Sequence, residues 1–419
     1  MPEAGGDDLG RTVDAVWRIE GARVVATVAR MVGDVGLAED LAQEAVAEAL
    51  EQWPQTGVPR SSGAWLTAVA KRRAIDGWRR RDRLDERYRA MAHDLDEALP
   101  GVWADAWEPI EDDVLRLVFA ACHPVLTREA QVALTLRVVA GLSSDEIARM
   151  FLVPVPTMQA RITRAKKTLT AARVPFEVPD HTEWPQRLGG VLSVVYLVFT
   201  EGYAATSGER WVRTELAQEA LRLGRVLAGL VPQEPEVHGL VALMELQASR
   251  FAARIGRDGR PVLLADQDRS RWDRGHVTRG LAALERADAP GRARGPYALQ
   301  AAIAQCHAVA RSVDETDWAR IALLYEALGQ VAPNPVVELN RAVAVSMATG
   351  PAAGLAIVDR LAADDALAGS HLLPSVRGEL LSRLGRLDEA RLELLTAAGL
   401  ARNDRERTVL EEKAARLRT

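Results

Sequence analysis

The sequence predicts an all-α protein, and two features support that prediction. Apolar residues recur with the period of an amphipathic helix along almost the whole chain, whereas the apolar–polar alternation of strands is nearly absent. The chain has 419 residues, of which 48% are hydrophobic, so it is long enough for two or three domains with apolar cores. Two cysteines are too few for a disulfide framework or a cysteine-rich zinc module.

The N-terminal part is predicted to form one helical domain over residues 10–90. Its second helix is expected to end at Trp53, because Pro54 follows and a proline cannot continue the helical hydrogen bonding. The predicted helices cover residues 13–31, 36–53 and 64–88.

An acidic linker is predicted over residues 91–112. No lysine or arginine occurs between His93 and Asp113, and prolines and a glycine interrupt the helical pattern there. Helices are expected to resume at Val114, in a second domain over residues 113–175 that ends in a run of prolines. About ten further helices are expected over residues 180–419.

The last block contains a weak internal repeat. Gly350 and Gly385 have similar surroundings and stand 35 positions apart, close to the ~34-residue tetratricopeptide period. The small residues Ala353 and Ala390 lie where paired helices would approach closely. The pattern predicts stacked helical hairpins, and plain hairpins in an alanine-rich protein are the alternative.

One segment has the pattern of a helix-turn-helix. Ser143 or Ser144 can cap a first helix with Glu146 in its first turn, and Thr157 can cap a second helix after a turn at residues 152–156. The second helix would present a polar and basic side to a major groove, where arginine and glutamine read base edges and lysine contacts phosphates. A solvated basic helix in an ordinary bundle is the alternative.

A second candidate is the tryptophan-bearing helix that begins near residue 64. Its sequence from Trp65 to Arg81 combines an apolar seam with a cationic side. This arrangement suits the tracking of a DNA backbone and stacking on an unpaired base. The alternative is a surface helix whose Trp65 and Trp78 belong to the core.

An acidic helix precedes this basic one. Six acidic residues and no basic residue lie between Asp34 and Glu51, a pattern that alone is typical of a solvated helix face. The order of the segments is more informative, because an acidic helix is followed by a tryptophan-bearing helix, a linker and a helix-turn-helix. In this order, residues 10–175 resemble bacterial sigma factors of the extracytoplasmic-function (ECF) type. The segment from Ala38 to Val46 is similar to the polymerase-binding segment of that family, with Val46 in place of the usual aromatic residue.

The resemblance implies three sets of functional residues. Residues 65–76 are similar to the helix that melts and contacts the −10 promoter element, with Arg72 in place of a common asparagine. Residues 157–166 are similar to the helix that reads the −35 element. The implied contacts are Glu39, Asp40, Leu41, Gln43 and Glu44 for core RNA polymerase; Trp65, Lys71, Arg72, Arg73, Asp76, Arg79, Arg80 and Arg81 for the −10 element; and Thr157, Gln159, Arg161, Arg164, Lys166 and Lys167 for the −35 element.

Residues 180–419 resemble the C-terminal extension of one ECF subgroup, in which a tetratricopeptide-like domain is fused to the two sigma domains. The similar segments include residues 196–203, 258–273 and 337–344. The resemblance implies that the extension regulates the factor in place of a separate anti-sigma protein, with an intramolecular contact to the sigma domains as one route. It implies core RNA polymerase and promoter DNA as partners, and no cofactor.

No catalytic or metal site is expected. The seven histidines are scattered without metal-ligand spacing, and phosphate-binding loops and nucleophile motifs do not occur. The segment from Asp266 to Asp273 favours a buried ion-pair network, with a binding contact as the second interpretation and catalysis as the third. The acidic start and the short apolar stretches predict a cytoplasmic protein with no signal peptide or membrane span.

Two other functions fit part of the sequence. A helix-turn-helix regulator with a helical sensing domain would bind DNA without joining polymerase, and a scaffold would use the C-terminal stack alone. Neither needs both the acidic helix at residues 34–46 and the basic helix at residues 65–81, so these two helices distinguish the sigma-factor hypothesis.

Overall fold

The computed structural model describes residues 4–81, 111–151, 153–180, 182–203, 214–254, 256, 262, 264–289, 291–364, 367–401 and 404–417. Among these residues the regular structure is helical and no strand occurs, which confirms the all-α prediction. The chain divides into two compact units, residues 1–198 and 199–419. No helix in the described part of the chain is long and apolar enough to cross a membrane.

Eight of the helices in the described residues begin in the first unit. The second helix does not end at Trp53 as predicted, because Pro54, so near the end of the helix, removes only one hydrogen bond. The helix continues to Thr56 and is capped by Gly57, which has a φ of 79° and donates its N–H to the Trp53 carbonyl over 3.0 Å. Residues 82–88 of the predicted third helix and residues 91–110 of the predicted linker lie outside the described residues. The helices are α1 (Ala4–Val32), α2 (Val35–Thr56), α3 (Ser62–Arg81), α4 (Glu111–Ala121), α5 (Arg128–Val138), α6 (Ser144–Phe151), α7 (Val155–Ala171) and α8 (Trp184–Tyr203).

Helices α1, α2 and α3 pack against one another as a bundle. Val24 and Val28 of α1 are fully buried, and Trp53 near the end of α2 is 2% exposed. The Trp53 ring meets the Trp65 ring of α3 edge-on, with centroids 5.4 Å apart, an arrangement that aromatic pairs favour. This contact fixes the start of α3 against the end of α2.

Helices α6 and α7 form the predicted helix-turn-helix. Ser143 Oγ accepts the Glu146 N–H at 3.1 Å and the Glu146 carboxylate accepts the Ser143 N–H at 2.8 Å, a reciprocal capping box. The prediction that Thr157 caps α7 was wrong. The helix begins earlier, with Pro154 as its N-cap residue, because Pro156 fits the first helical turn, where its missing N–H is no loss.

Helix α8 packs on α4 within the first unit. The Trp184 ring lies 5.2 Å from the Phe119 ring, and Arg187 donates to the Phe119 carbonyl at 3.2 Å. Nearby, the buried Cys122 thiol lies 3.4 Å from the Thr135 hydroxyl, and burial raises the pKa of this thiol to about 11. Helix α8 lies beyond residue 175, the predicted end of the second domain, yet it begins in the same compact unit as the helix-turn-helix.

The remaining helices form the second unit, in which the predicted hairpin repeat is present. Gly350 and Gly385, with φ of 111° and 75°, form the turns of two successive hairpins. Ala390 is buried as expected, but Ala353 is exposed; the close approach is made by Gly354, where an added Cβ would lie 2.6 Å from a side chain of the facing helix. The helices are α9 (Thr214–Leu230), α10 (Pro235–Ala248), α11 (Arg274–Asp288), α12 (Pro296–Val309), α13 (Trp318–Val331), α14 (Pro335–Thr349), α15 (Pro351–Ala363), α16 (Leu372–Arg383), α17 (Leu387–Leu400) and α18 (Asp404–Arg416).

The segment from Asp266 to Asp273 has a structural role that differs from the favoured prediction. Arg269 is buried and donates to the carbonyls of His307 at 2.9 Å and Ala310 at 3.0 Å. The buried Trp272 ring lies within 5.5 Å of the Arg269 and Arg250 guanidinium groups. The prediction of a buried ion-pair network is therefore wrong for Arg269. Carbonyl oxygens and the face of an aromatic ring stabilise its charge instead.

Candidate nucleic-acid interface

Helix α2 carries all five residues predicted to bind polymerase, and it exposes them unequally. The side chains of Asp40 and Glu44 are 66% and 55% exposed. The other three lie closer to the core, with Glu39 and Leu41 buried and Gln43 half-buried. Of the predicted set, the carboxylates open to solvent are therefore those of Asp40 and Glu44.

Two cations from the helix-turn-helix domain hold the buried Glu39. Arg137 of α5 donates from Nε to Oε1 over 2.8 Å, and the Lys166 ammonium donates to Oε2. The same ammonium lies 2.7 Å from Oδ1 of Asp40. A buried carboxylate needs such compensation for its lost hydration. Sequence analysis missed Arg137, because it stands 98 positions from Glu39 and no local pattern links them.

A second buried carboxylate organises the basic side of α3. Glu48 of α2 accepts hydrogen bonds from Arg72 at 2.6 Å and from Arg73 at 2.7 Å, and Arg73 also reaches Glu44 at 3.1 Å. Burial acts to raise the pKa of Glu48, but the hydrogen bonds and charges of Arg73 and Arg72 outweigh it and hold the pKa below its ordinary value. The side chains of Arg72 and Arg73 are 59% and 37% exposed, so both remain accessible to a ligand.

The other predicted contacts of α3 are less exposed. Trp65 is half-buried against Trp53, and Asp76 is also half-buried. Lys71 is half-buried too, and burial together with the charge of Arg30 lowers the pKa of its ammonium. The side chains of Arg79, Arg80 and Arg81 lie outside the described residues, although α3 includes all three.

Helix α7 has an apolar side and a polar side, as the helix-turn-helix prediction requires. Its buried residues are Met158, Ile162, Ala165 and Leu169. Of the six predicted DNA contacts, Lys166 differs from the rest, because its side chain is 16% exposed and its ammonium points at α2. The others are the exposed Thr157, Gln159, Arg164 and Lys167 and the half-buried Arg161.

Three families match parts of this sequence. Residues 17–84 match sigma-70 region 2, and residues 116–169 match sigma-70 region 4. Residues 187–288 match a family of unknown function, DUF6596.

Similar proteins occur in several bacteria. An uncharacterised protein of Rhizobium meliloti is 44% identical over 393 residues, which cover 91% of this chain and 90% of that protein. A probable ECF RNA polymerase sigma factor of Mycobacterium tuberculosis, SigI, is 30% identical over 40% of this chain and 57% of its own length. The RNA polymerase sigma-H factor of Pseudomonas aeruginosa is 27% identical over 37% of this chain and 82% of its own length. No solved structure gives a significant match.

These matches define a protein of the sigma-70 class, in which α1–α3 belong to region 2 and α4–α7 to region 4. The chain is ECF-like in type and carries a C-terminal extension, and it belongs to one family with the Rhizobium meliloti protein.

Proposed function

We propose that this sigma factor binds core RNA polymerase through α2, directs promoter-specific initiation through α3 and α7, and is regulated by its extension. The proposed domains are region 2 over residues 10–90, an acidic linker over 91–112, region 4 over 113–175 and the extension over 180–419. The observation that carries the proposal is the presence of regions 2 and 4 in one chain. A regulator that never joins polymerase has no use for region 2.

The proposed polymerase contact uses the exposed carboxylates of α2. Asp40 and Glu44 lie one helical turn apart and are both more than half exposed. A basic or polar surface of core polymerase would complement them, and complementary charge speeds and orients association.

The proposed −10 contact uses the cationic side of α3. Glu48 holds Arg72 and Arg73 in place, so these guanidinium groups are oriented before DNA arrives. Trp65 stands at the start of the same helix, beside the loop that precedes it, where a base extruded from the promoter strand would be received at a cost of a few kcal/mol of unstacking. The remaining proposed contacts are Lys71, Asp76, Arg79, Arg80 and Arg81.

The proposed −35 contact uses the polar side of α7. Gln159, Arg161 and Arg164 have the donor groups that read base edges in the major groove, and Lys167 suits a phosphate. Thr157 and Lys166 complete the set. Lys166 must leave Glu39 and Asp40 before it can contact DNA.

Mixing the purified chain with purified bacterial core polymerase tests the proposal. We expect the two to co-elute on gel filtration as a stable complex. The complex is then supplied with fragmented genomic DNA of the source bacterium, and its transcripts are sequenced. The transcription start sites should lie downstream of one shared pair of sequence elements. A chain that binds DNA but does not co-elute with core polymerase would favour the helix-turn-helix regulator. Transcripts without a shared element would contradict promoter recognition.

Replacing Lys167 with alanine should weaken promoter binding by the polymerase complex without changing which sequence is preferred. Loss of one phosphate contact should reduce the slope of log affinity against log salt by about 0.9. Binding titrations over a range of salt concentrations measure both quantities. Lys413→Ala is the matched control, because Lys413 lies in α18 and pairs with Glu379 at 2.8 Å. An unchanged slope for Lys167→Ala would remove this residue from the interface.

Shortening the chain tests the regulatory role of the extension. A chain that ends at Val198 keeps the contact of Trp184 with Phe119 and should give an altered transcript yield from the same promoters. A chain that ends at Val178 loses that contact, and exposure of Phe119 should cost region 4 about 2 kcal/mol of unfolding free energy. Thermal melting separates the two effects. An unchanged yield from the Val198 chain would contradict regulation by the extension.

A further inference from the structure

Two arginines of the second unit lie against one tryptophan ring. Arg250 follows α10 and Arg269 precedes α11, and their guanidinium carbons lie 5.5 Å and 5.4 Å from the centroid of the Trp272 ring. Their hydrogen bonds go to neutral groups, because Arg250 donates from Nε to Gln267 at 3.1 Å and Arg269 donates to the Thr316 hydroxyl at 3.0 Å and to two carbonyls. Within the described part of the extension, neither arginine forms an ion pair with a carboxylate.

The positive charge of this cluster is only partly compensated. Burial, together with the charge of Arg250, lowers the pKa of Arg269, so the two cations repel each other. The charge of Glu315 acts in the opposite direction, but its carboxylate accepts the N–H of Arg311 at 3.3 Å and forms no ion pair with Arg269. Since a buried charge is ordinarily paired, to replace its lost hydration, the charge balance of the cluster favours an additional anion.

Two buried ring nitrogens in the same cluster have no hydrogen-bond partner among the described residues. They are Nε1 of Trp272, which is 3% exposed, and Nδ1 of His307, which is 8% exposed. His307 belongs to the cluster because its carbonyl accepts from Arg269 at 2.9 Å, and burial with the charges of Arg250 and Arg269 lowers the pKa of its imidazole to about 4. Buried polar groups are nearly always bonded to protein, water or an ion. An indole N–H can only donate, so the missing partner of Trp272 is an acceptor.

We propose that the extension binds a small oxyanion, the carboxylate or phosphate group of a small molecule, at the edge of the Trp272 indole. The anion accepts the Nε1–H and offsets the charges of Arg250 and Arg269, so it supplies both the acceptor and the negative charge that the cluster lacks. Guanidinium groups bind such anions with strong, directional hydrogen bonds. Arg250 is only half-buried, so solvent reaches the cluster on its side. A bound anion also gives the extension a chemical input to its regulatory role, and this consequence alone rests on the proposed function.

Calorimetric titration of the full-length chain tests the site. Sodium phosphate and sodium acetate are titrated separately in Tris buffer, with the ionic strength held constant by sodium chloride, and at least one should bind saturably. Binding of phosphate alone assigns a phosphate group to the ligand, and binding of acetate alone assigns a carboxylate. Arg250→Gln should weaken the binding about tenfold or more, because it removes a charge-assisted hydrogen bond. Arg271→Gln is the matched control, since Arg271 is exposed in the same segment, and it should change the affinity less than twofold.

A second measurement observes the proposed donor itself. In full-length protein labelled with ¹⁵N-tryptophan, the Nε1–H signal of Trp272 should move downfield as the anion binds, because its proton enters a hydrogen bond. Trp272→Phe assigns the signal by its loss. The same variant keeps an aromatic ring but has no N–H, so it should also bind the anion more weakly than the parent. Thermal melting of each variant in sodium chloride verifies that it folds.

Each contrary result has a distinct meaning. If neither anion binds, if Arg250→Gln and Arg271→Gln lose affinity equally, or if binding leaves the Trp272 signal in place, the proposed site is wrong. If the anion binds at Trp272 but saturation leaves the transcript yield of the parent complex unchanged, the regulatory consequence is wrong and the site stands. None of these results depends on whether the chain joins core polymerase, which co-elution decides, so failure of the inference and failure of the proposed function are distinguishable.

Discussion

Reversing the charge of Asp40 with lysine is expected to weaken binding to core polymerase about tenfold or more. Asp40 is the most exposed of the predicted docking residues, and a like charge placed against a complementary surface costs up to several kcal/mol. Asp40 also accepts a hydrogen bond from the Lys166 ammonium at 2.7 Å. Thermal melting of the variant therefore verifies that the fold survives the substitution before the affinities are compared.

A matched substitution controls for net charge. Glu51→Lys makes the same change at an exposed position of α2 outside the proposed contact, and it should alter the affinity less than twofold. Equilibrium titration of labelled core polymerase with each variant measures the difference. Equal losses for the two variants would mean that polymerase responds to the overall charge of α2, and Asp40 would lose its assigned role.

Replacing Glu48 with glutamine is expected to reduce both the stability of region 2 and the rate of open-complex formation. The substitution removes charge-assisted hydrogen bonds to Arg72 and Arg73, whose guanidinium groups stay partly hydrated, so the unfolding free energy should fall by about 1–2 kcal/mol. Promoter opening should slow about tenfold, because the two arginines are no longer held in one orientation. This rate change corresponds to an increase of about 1.4 kcal/mol in the activation free energy. Denaturant unfolding and permanganate footprinting of melted promoter DNA measure the two effects.

The pH dependence gives an independent check on Glu48. Because the pKa of Glu48 in the folded protein lies below its ordinary value, its ionised form stabilises the fold above the ordinary unfolded value near 4.3. This contribution is lost as the pH falls through the lower folded value. The stability difference between parent and Glu48→Gln should therefore be full at neutral pH and shrink below about pH 4. Glu51→Gln removes one carboxylate at an exposed position of the same helix and is the matched control for net charge.

Local patterns were sufficient to predict the helices and the helix-turn-helix. The capping box of Ser143 and Glu146 is encoded within four residues, and the glycines at positions 350 and 385 mark turns because of their backbone freedom. The cap at Thr157 failed because two competing prolines lie just before it, at positions 154 and 156. Helix ends depend on such small differences and are hard to predict from composition.

The orientation of individual charges could not be predicted. Glu39 and Asp40 are adjacent and chemically similar, yet one is buried and the other exposed, because a single helical step of 100° moves a side chain from the packed side to the open side. Lys166 was expected to face DNA with the rest of the basic side of α7. Its actual partners stand 126 and 127 positions away, and only the tertiary packing brings them together.

The environment of the cysteines limits which stimuli this factor can detect directly. Oxidants react with the thiolate, and Cys122 is enclosed by protein with a pKa of about 11, so almost none of it is ionised at neutral pH. Cys306 is also buried, and burial raises the pKa of its thiol as well. Peroxide or a disulfide reagent would therefore reach these two thiols only when local opening exposes them, since the folded chain encloses both.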